Sequence, residues 1–209
     1  MRRRLNQWNS CSLWEHWVLA TSIGFLVGLT VIDIVGVATS HFGYIRGTFT
    51  LLGALEGVIL GFAQWLVLRR HVKHSARWIL ATVIGILLAW FTGLSISTVT
   101  ALAYISTSNT IPLVKGLVCL GAVLGGVLGL CQWFVLKQIR FSIWWIVANA
   151  FAWALGLLVA FVGTGIVRGS WGVHVLITAA TGVAMGAIIG GITGITLVWL
   201  LKPYRKPSH

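Results

Sequence analysis

The sequence predicts an all-α integral membrane protein, and three observations lead to this fold class. The 209 residues are 58% hydrophobic and 9% charged, with a mean hydropathy of +0.95, whereas soluble domains carry about 25% charged residues. The apolar segments are long and do not alternate as barrel strands do. Helices are therefore favoured, because a backbone in lipid must satisfy its own hydrogen bonds. The third observation is the placement of the charges.

Twelve of the fifteen basic residues fall on one side of the predicted spans. They are Arg2, Arg3, Arg4, Arg69, Arg70, Lys73, Arg77, Lys137, Arg140, Lys202, Arg205 and Lys206. This asymmetry predicts that both termini are cytoplasmic. Anionic lipid headgroups are sufficient partners for such a surface, so the net charge of +12 does not indicate nucleic-acid binding.

Six transmembrane helices are predicted in a single membrane domain that covers residues 1–209. The spans cover 17–38, 47–68, 78–103, about 112–136, 143–167 and 173–201. Each has the ~20 residues needed to cross a hydrocarbon core of about 30 Å. Residues 1–16 are expected to form a cytoplasmic interfacial lead-in, with Trp8 and Trp14 as anchors, and residues 202–209 a basic cytoplasmic tail.

The spans repeat along the chain. Residues 53–68, GALEGVILGFAQWLVL, return as 121–136, GAVLGGVLGLCQWFVL, with nine of sixteen positions identical. The odd spans repeat around Trp17 and Trp78, and Trp145 begins a weaker third copy. These copies predict three helical hairpins in the same orientation, related by a pseudo-threefold axis along the membrane normal. The hairpins cover residues 17–68, 78–136 and 143–201.

Each even span carries three glycines four residues apart, a spacing that lets another backbone approach closely. They are Gly53, Gly57, Gly61, Gly121, Gly125, Gly129, Gly182, Gly186 and Gly190. At about 100° per residue, each glycine strip shares one face with Gln64, Gln132 or Thr193. We expect the even spans to meet one another through these faces, with the odd spans outside. The three polar residues would then form a layer toward the cytoplasmic end.

The repeated pattern Gly-xxx-Gly-xx-Gln-Trp-x-Val-Leu-Arg/Lys, closed by GGITGITLVWLL at 190–201, resembles a group of multi-pass membrane proteins common in cyanobacteria. The resemblance covers nearly the whole chain. It implies the hairpin architecture and a cyanobacterial membrane, and it brings no activity and no site residues with it. The expected location is a bacterial inner membrane, or the thylakoid membrane if the chain is cyanobacterial.

Ionisable residues inside spans are the first candidates for function. Glu56 lies near the middle of the second span and Asp33 in the first, and one interpretation makes them a protonatable or cation-binding pair on a transport path. The structural interpretation pairs Asp33 with Arg46 and has a protonated Glu56 bonded to a hydroxyl such as that of Thr92. Likewise, the polar layer of Gln64, Gln132 and Thr193 either lines such a route or joins helices by hydrogen bonds; the joining role is favoured.

No cofactor or metal is expected. A haem between helices needs axial ligands inside helix bodies. Only His41 and His174, both at the outer boundary, could share a site. Nine of the twelve tryptophans are expected to anchor the protein in the cytoplasmic interface. They are Trp8, Trp14, Trp17, Trp65, Trp78, Trp133, Trp144, Trp145 and Trp199.

The sequence contains no Gly-x-Ser-x-Gly, His-Glu-x-x-His or phosphate-loop pattern, so we do not expect an enzyme. The favoured function is that of a scaffold or accessory subunit. Its expected partners are the lipid bilayer and other membrane proteins or further copies of the chain. The alternative is a small-solute or ion transporter or channel that uses Glu56 and Asp33. Transporters commonly interrupt helices with Gly or Pro at a midplane site; here the glycines are regular and no proline falls in the middle of a span.

Overall fold

The structure is a computed structural model that describes residues 5–39, 46–105, 110–166 and 171–202. Side chains are described for 11–35, 51–92, 113–163 and 171–202. The described residues form six α-helices: α1 (Leu5–Thr39), α2 (Arg46–Leu68), α3 (Arg77–Ile105), α4 (Thr110–Leu136), α5 (Trp144–Ile166) and α6 (Trp171–Leu201). By length and composition, five of these helices can cross a membrane within the residues whose side chains are described; for α3 these residues cover only Arg77–Thr92. The protein is therefore an all-helical, multi-pass membrane protein, as predicted.

The first helix begins earlier than the sequence indicated. Residues 5–16, expected to belong to a separate interfacial segment, continue α1 without a break. Their side chains explain the extension, because Leu13 is buried in the core. Trp14 Nε1–H, in addition, donates to the carbonyl oxygen of Gly191 at 3.1 Å. This part of α1 therefore packs on α6 instead of lying separately on the lipid headgroups.

The helices form a closed ring. Each helix contacts its neighbours along the chain, and α6 packs on α1. Within the described ranges no other pair of helices brings its backbones close together. The prediction that the even helices meet one another is therefore wrong. Large side chains from the odd helices fill the middle of the ring and keep alternate helices apart. We call the end of the ring that holds the beginning of α1, the α2–α3 and α4–α5 turns and the end of α6 the basic end.

The glycine strips of the even helices pack against the next odd helix around the ring. A Cβ atom added at Gly57 would lie 2.7 Å from Val83 Cα in α3. One added at Gly186 would lie 2.5 Å from Ser22 Cα in α1. The strip of α4 packs in the same way on α5. The strips thus bring backbones close together, but between successive hairpins and not along a common axis of even helices.

The two turns at the basic end share one construction. In the α4–α5 turn Phe141 has a φ of 63°, and the carbonyl oxygen of the buried Ser142 accepts the backbone N–H of Trp145 at 2.9 Å. The α2–α3 turn has His74 in the equivalent place, with a φ of 58°. Few residues other than glycine adopt this left-handed conformation. Here it reverses the chain near the start of the following odd helix, where Trp78 or Trp145 lies in the ring interior.

Adjacent glycines in α4 allow a direct test of the packing. We expect Gly125→Ala to lower the thermal stability of the purified protein, because its methyl group would overlap the backbone of Asn149. Overpacking of this kind costs about 1–3 kcal/mol. Gly126→Ala is the matched control, since a Cβ there meets no atom within 4 Å. Equal unfolding temperatures for the two variants in detergent would contradict the packing. The same reasoning predicts that Gly57→Leu disrupts the fold.

Candidate functional site

Three tryptophans from the odd helices meet in the middle of the ring, near the basic end. The indole of Trp17 lies 5.8 Å from those of Trp78 and Trp145, centroid to centroid, and the latter two are 5.5 Å apart. Their planes cross at 69° to 77°, the edge-to-face geometry that contributes about 0.5–1.5 kcal/mol per pair beyond burial. All three are at most 1% exposed. We call Trp17, Trp78 and Trp145 the tryptophan plug.

A polar side chain of an even helix accepts a hydrogen bond from each indole of the plug. Trp78 Nε1–H donates to Gln64 Oε1 at 3.1 Å. Trp145 Nε1–H donates to Gln132 Oε1 at 3.0 Å. The remaining indole donates to Thr193 Oγ1, also at 3.0 Å. The predicted polar layer therefore exists at one level of the ring, and its members bond to the plug.

Both glutamines also bond to the odd helix that precedes them. Gln64 Nε2–H donates to Thr21 Oγ1 at 3.3 Å, and Gln132 Nε2–H donates to Thr82 Oγ1 at 3.1 Å. Each amide thus joins two odd helices through one even helix. Buried amides need such partners, because an unsatisfied polar group in an apolar interior is costly.

The pair α5–α6 is built differently. Thr193 occupies the place of the glutamines, and its hydroxyl donates to the carbonyl oxygen of Ile189 in its own helix at 2.6 Å. Asn149 occupies the place of the threonines, and its Nδ2–H donates to the carbonyl oxygen of Trp145 at 3.0 Å. Among the described side chains, no hydrogen bond across α5 and α6 replaces the glutamine bridge at this level.

Apolar layers seal the plug on both sides. On the side of the basic end the core holds Leu13, Leu68, Leu136, Leu197 and Leu200. On the other side it holds Phe25, Leu60, Ile86, Leu128, Ala152, Trp153, Met185 and Ile189. The interior at these levels is filled by these buried side chains in the part of the chain that the structure describes.

The prediction that Trp17, Trp78 and Trp145 anchor the protein in the membrane interface is wrong. All three point into the ring and are buried, whereas Trp144 and Trp199 are exposed on its surface as an interfacial position requires. One feature of the sequence distinguishes the buried tryptophans from the interfacial ones: the three buried residues occupy the same position in the three copies of the odd span.

Glu56 is buried inside the ring, and its partner differs from the one expected. Its Oε2 accepts a hydrogen bond from Trp90 Nε1–H at 3.1 Å, and its chain packs against Gly28 of α1. Thr92, the expected partner, donates its hydroxyl to the carbonyl oxygen of Leu88 instead. Glu56 is therefore held by an indole from α3.

Asp33 lies at the junction of α1 and α6. Its Oδ1 is 2.8 Å from His174 Nε2, so this contact joins residues that are 141 positions apart. The expected pairing partner, Arg46, begins α2, and its side chain lies outside the described ones; His41 lies outside the described residues. Asp33 Oδ2 and Thr30 Oγ1 are buried without a hydrogen-bond partner in the described part of the structure.

The two acids thus occupy different junctions. Glu56 faces α1 and α3 from α2, whereas Asp33 faces α6 from α1. No hydrogen bond or ion pair connects them in the described ranges, and these ranges contain no group of three or more His, Cys, Asp or Glu side chains that could hold a metal ion. The two acids of the transport interpretation therefore have separate partners, Trp90 for Glu56 and His174 for Asp33.

The protein is a multi-pass helical membrane protein whose apolar helices form a ring around an aromatic and amide centre. The hydrogen bonds of this centre connect the helices to one another. The chain matches no protein-family model, no curated protein and no solved structure.

Replacing one glutamine tests the polar layer. We expect Gln132→Leu to lower the free energy of unfolding by about 1–3 kcal/mol, because it leaves the buried N–H of Trp145 without an acceptor. The exposed Gln138, six positions further on, provides the control variant Gln138→Leu. Unfolding can be followed by tryptophan fluorescence in mixed micelles. A Gln132→Leu variant as stable as its control would show that the layer contributes little.

Proposed function

We propose that the protein is a non-catalytic membrane scaffold or accessory subunit whose interior fixes the helices and whose outer surface contacts lipids and other membrane proteins. The tryptophan plug is the observation that carries this proposal. Its three rings are buried and edge-to-face, and each indole N–H has an acceptor. Such a centre favours a rigid body over one that opens to pass a solute.

In this proposal all six helices cross the membrane as three hairpins around a pseudo-threefold axis. The contacts of the plug support it, because Trp17, Trp78 and Trp145 occupy corresponding positions of the three odd helices and contact one another at similar distances. The direction of the glycine strips supports it too, since each strip packs on the next odd helix in the same rotational sense.

We also propose that the basic end faces the cytoplasm, in a bacterial inner membrane or a thylakoid membrane. Exposed cations in both turns, including Arg69 and Lys137, support this orientation by the positive-inside rule. Arg69 lies over the ring of Trp65, with 5.3 Å from Cζ to the centroid, and Lys137 lies over Phe134. Such pairs of cation and aromatic ring suit a headgroup region, where one end of the pair is apolar and the other polar.

A transporter is the second candidate, and the position of Glu56 favours it. A carboxyl group buried inside a membrane bundle is costly and commonly marks an ion or proton path. Glu56 is 5% exposed, and its one described hydrogen bond is from Trp90. The apolar layers on both sides of the plug count against a continuous route, because a solute passing Glu56 would still have to displace them.

Reconstitution into liposomes separates the two functions. We expect no proton, sodium or potassium flux above that of empty vesicles, measured with pH- and cation-sensitive dyes, because the centre is filled. Flux that depends on pH, is lost in a folded Glu56→Gln variant and is retained in Glu15→Gln would establish transport and contradict the scaffold. Glu15 is a suitable control because it is an exposed acid in α1.

Purification in a gentle detergent tests the scaffold itself. We expect a membrane protein or a second copy of the chain to remain bound in a fixed stoichiometry, visible as one complex in native mass spectrometry after crosslinking in the membrane. The Gln132→Leu variant, with a weakened interior, should lose that partner together with its thermal stability. A chain that is strictly monomeric in intact membranes would be inconsistent with the proposal.

A further inference from the structure

The surface between α5 and α6 carries an apolar groove at the basic end. The groove has a volume of about 580 Å³, within the range of about 300–1,000 Å³ typical of ligand sites. Val147, Phe151 and Ile195 form its walls, and Trp144 and Trp199 lie at its mouth. All five side chains are exposed, so the groove opens toward the lipid and not toward the ring interior.

The position of the groove follows from the interior of the ring. It lies on the hairpin that lacks the glutamine bridge between its two helices, where Thr193 and Asn149 bond within their own helices. The two helices of this pair therefore leave space on their outer face.

A cation is connected to the groove by a stack of aromatic rings. The guanidinium carbon of Arg140 lies 4.5 Å from the centroid of Phe141. The ring of Phe141 is stacked on that of Trp199, with 5.8 Å between centroids and 30° between planes. Lys202, also exposed, follows Trp199 by less than one helical turn. Positive charge is thus concentrated at the end of an apolar groove.

The backbone keeps this stack in place. Phe141 has a φ of 63°, which is rare for a bulky residue and persists only where the surrounding structure compensates the strain. Trp199 supplies that contact.

We propose that this groove binds one anionic phospholipid, with an acyl chain between α5 and α6 and the phosphodiester beside Arg140 and Lys202. The complementary charge selects an anionic headgroup over a zwitterionic one, and the apolar walls select a lipid over free phosphate. The site is independent of the proposed scaffold function, since it would be occupied in a transporter as well.

The test compares lipid retention in native mass spectrometry of the full chain, purified and then mixed with phosphatidylglycerol or phosphatidylcholine. We expect wild type to retain one phosphatidylglycerol preferentially. The double variant Arg140→Gln/Lys202→Gln should bind it about thirty-fold more weakly, since each cation near a headgroup contributes to the attraction. The control Lys73→Gln/Lys137→Gln removes the same charge from the basic end outside the groove and should bind as wild type does.

The acyl chain has its own test. Val147→Trp should fill the groove and abolish preferential retention, whereas Leu80→Trp, at an exposed position on α3, should not. Thermal unfolding of each variant alone verifies that it is folded. Equal losses in both charge variants would indicate a diffuse basic surface and overturn the site. The site would also be overturned if Val147→Trp retained the lipid as wild type does, or if glycerol phosphate bound as tightly as phosphatidylglycerol. A partner helix crosslinked in the groove would overturn it too.

Discussion

The need to satisfy three buried indole N–H groups constrains the rest of this structure. In a bundle surrounded by lipid, a tryptophan in the interior must find its acceptor within the protein. Gln64 supplies it for Trp78 at 3.1 Å. Because Gln64 shares one helix face with Gly57 and Gly61, turning the amide toward α3 also turns the glycines toward α3. One hydrogen bond thereby sets the rotation of the helix and the place where its backbone meets the next.

Each even helix accepts an indole hydrogen bond from the next odd helix, and the last of these bonds closes the ring. The last even helix meets the first odd helix through Thr193 and Trp17, which are 176 residues apart and 3.0 Å from atom to atom. Away from the basic end, Asp33 and His174 join the same two helices. Both contacts are non-local, because they join the first and last helices of the chain. The closure of the ring therefore depends on the whole chain, although each element of it is local.

The third hairpin departs from the other two, and the departure affects the outer surface. A threonine in place of glutamine still accepts the indole hydrogen bond, but it is too short to reach α5. At this level no hydrogen bond between described side chains joins α5 to α6, and a groove lies on the lipid-facing side of the pair. Because the centre is filled and the outer surface carries a groove, the proposed contacts are assigned to the exterior of the molecule and not to its axis.

Composition and periodicity by themselves determined the helical membrane class, the helix boundaries to within a few residues except at the start of α1, and the level at which Gln64, Gln132 and Thr193 lie. These are local properties, since length, hydropathy and a spacing of four residues act within one helix. Which helices those faces meet was decided only by the tertiary structure. A glycine strip fits any close backbone, so Gly57 could face an even or an odd helix, and Trp78 could anchor in lipid or point inward. The three indoles fill the centre of the ring and exclude the even helices from it, and Glu56 and Asp33 pair with Trp90 and His174. Both effects depend on residues that are far apart in the chain.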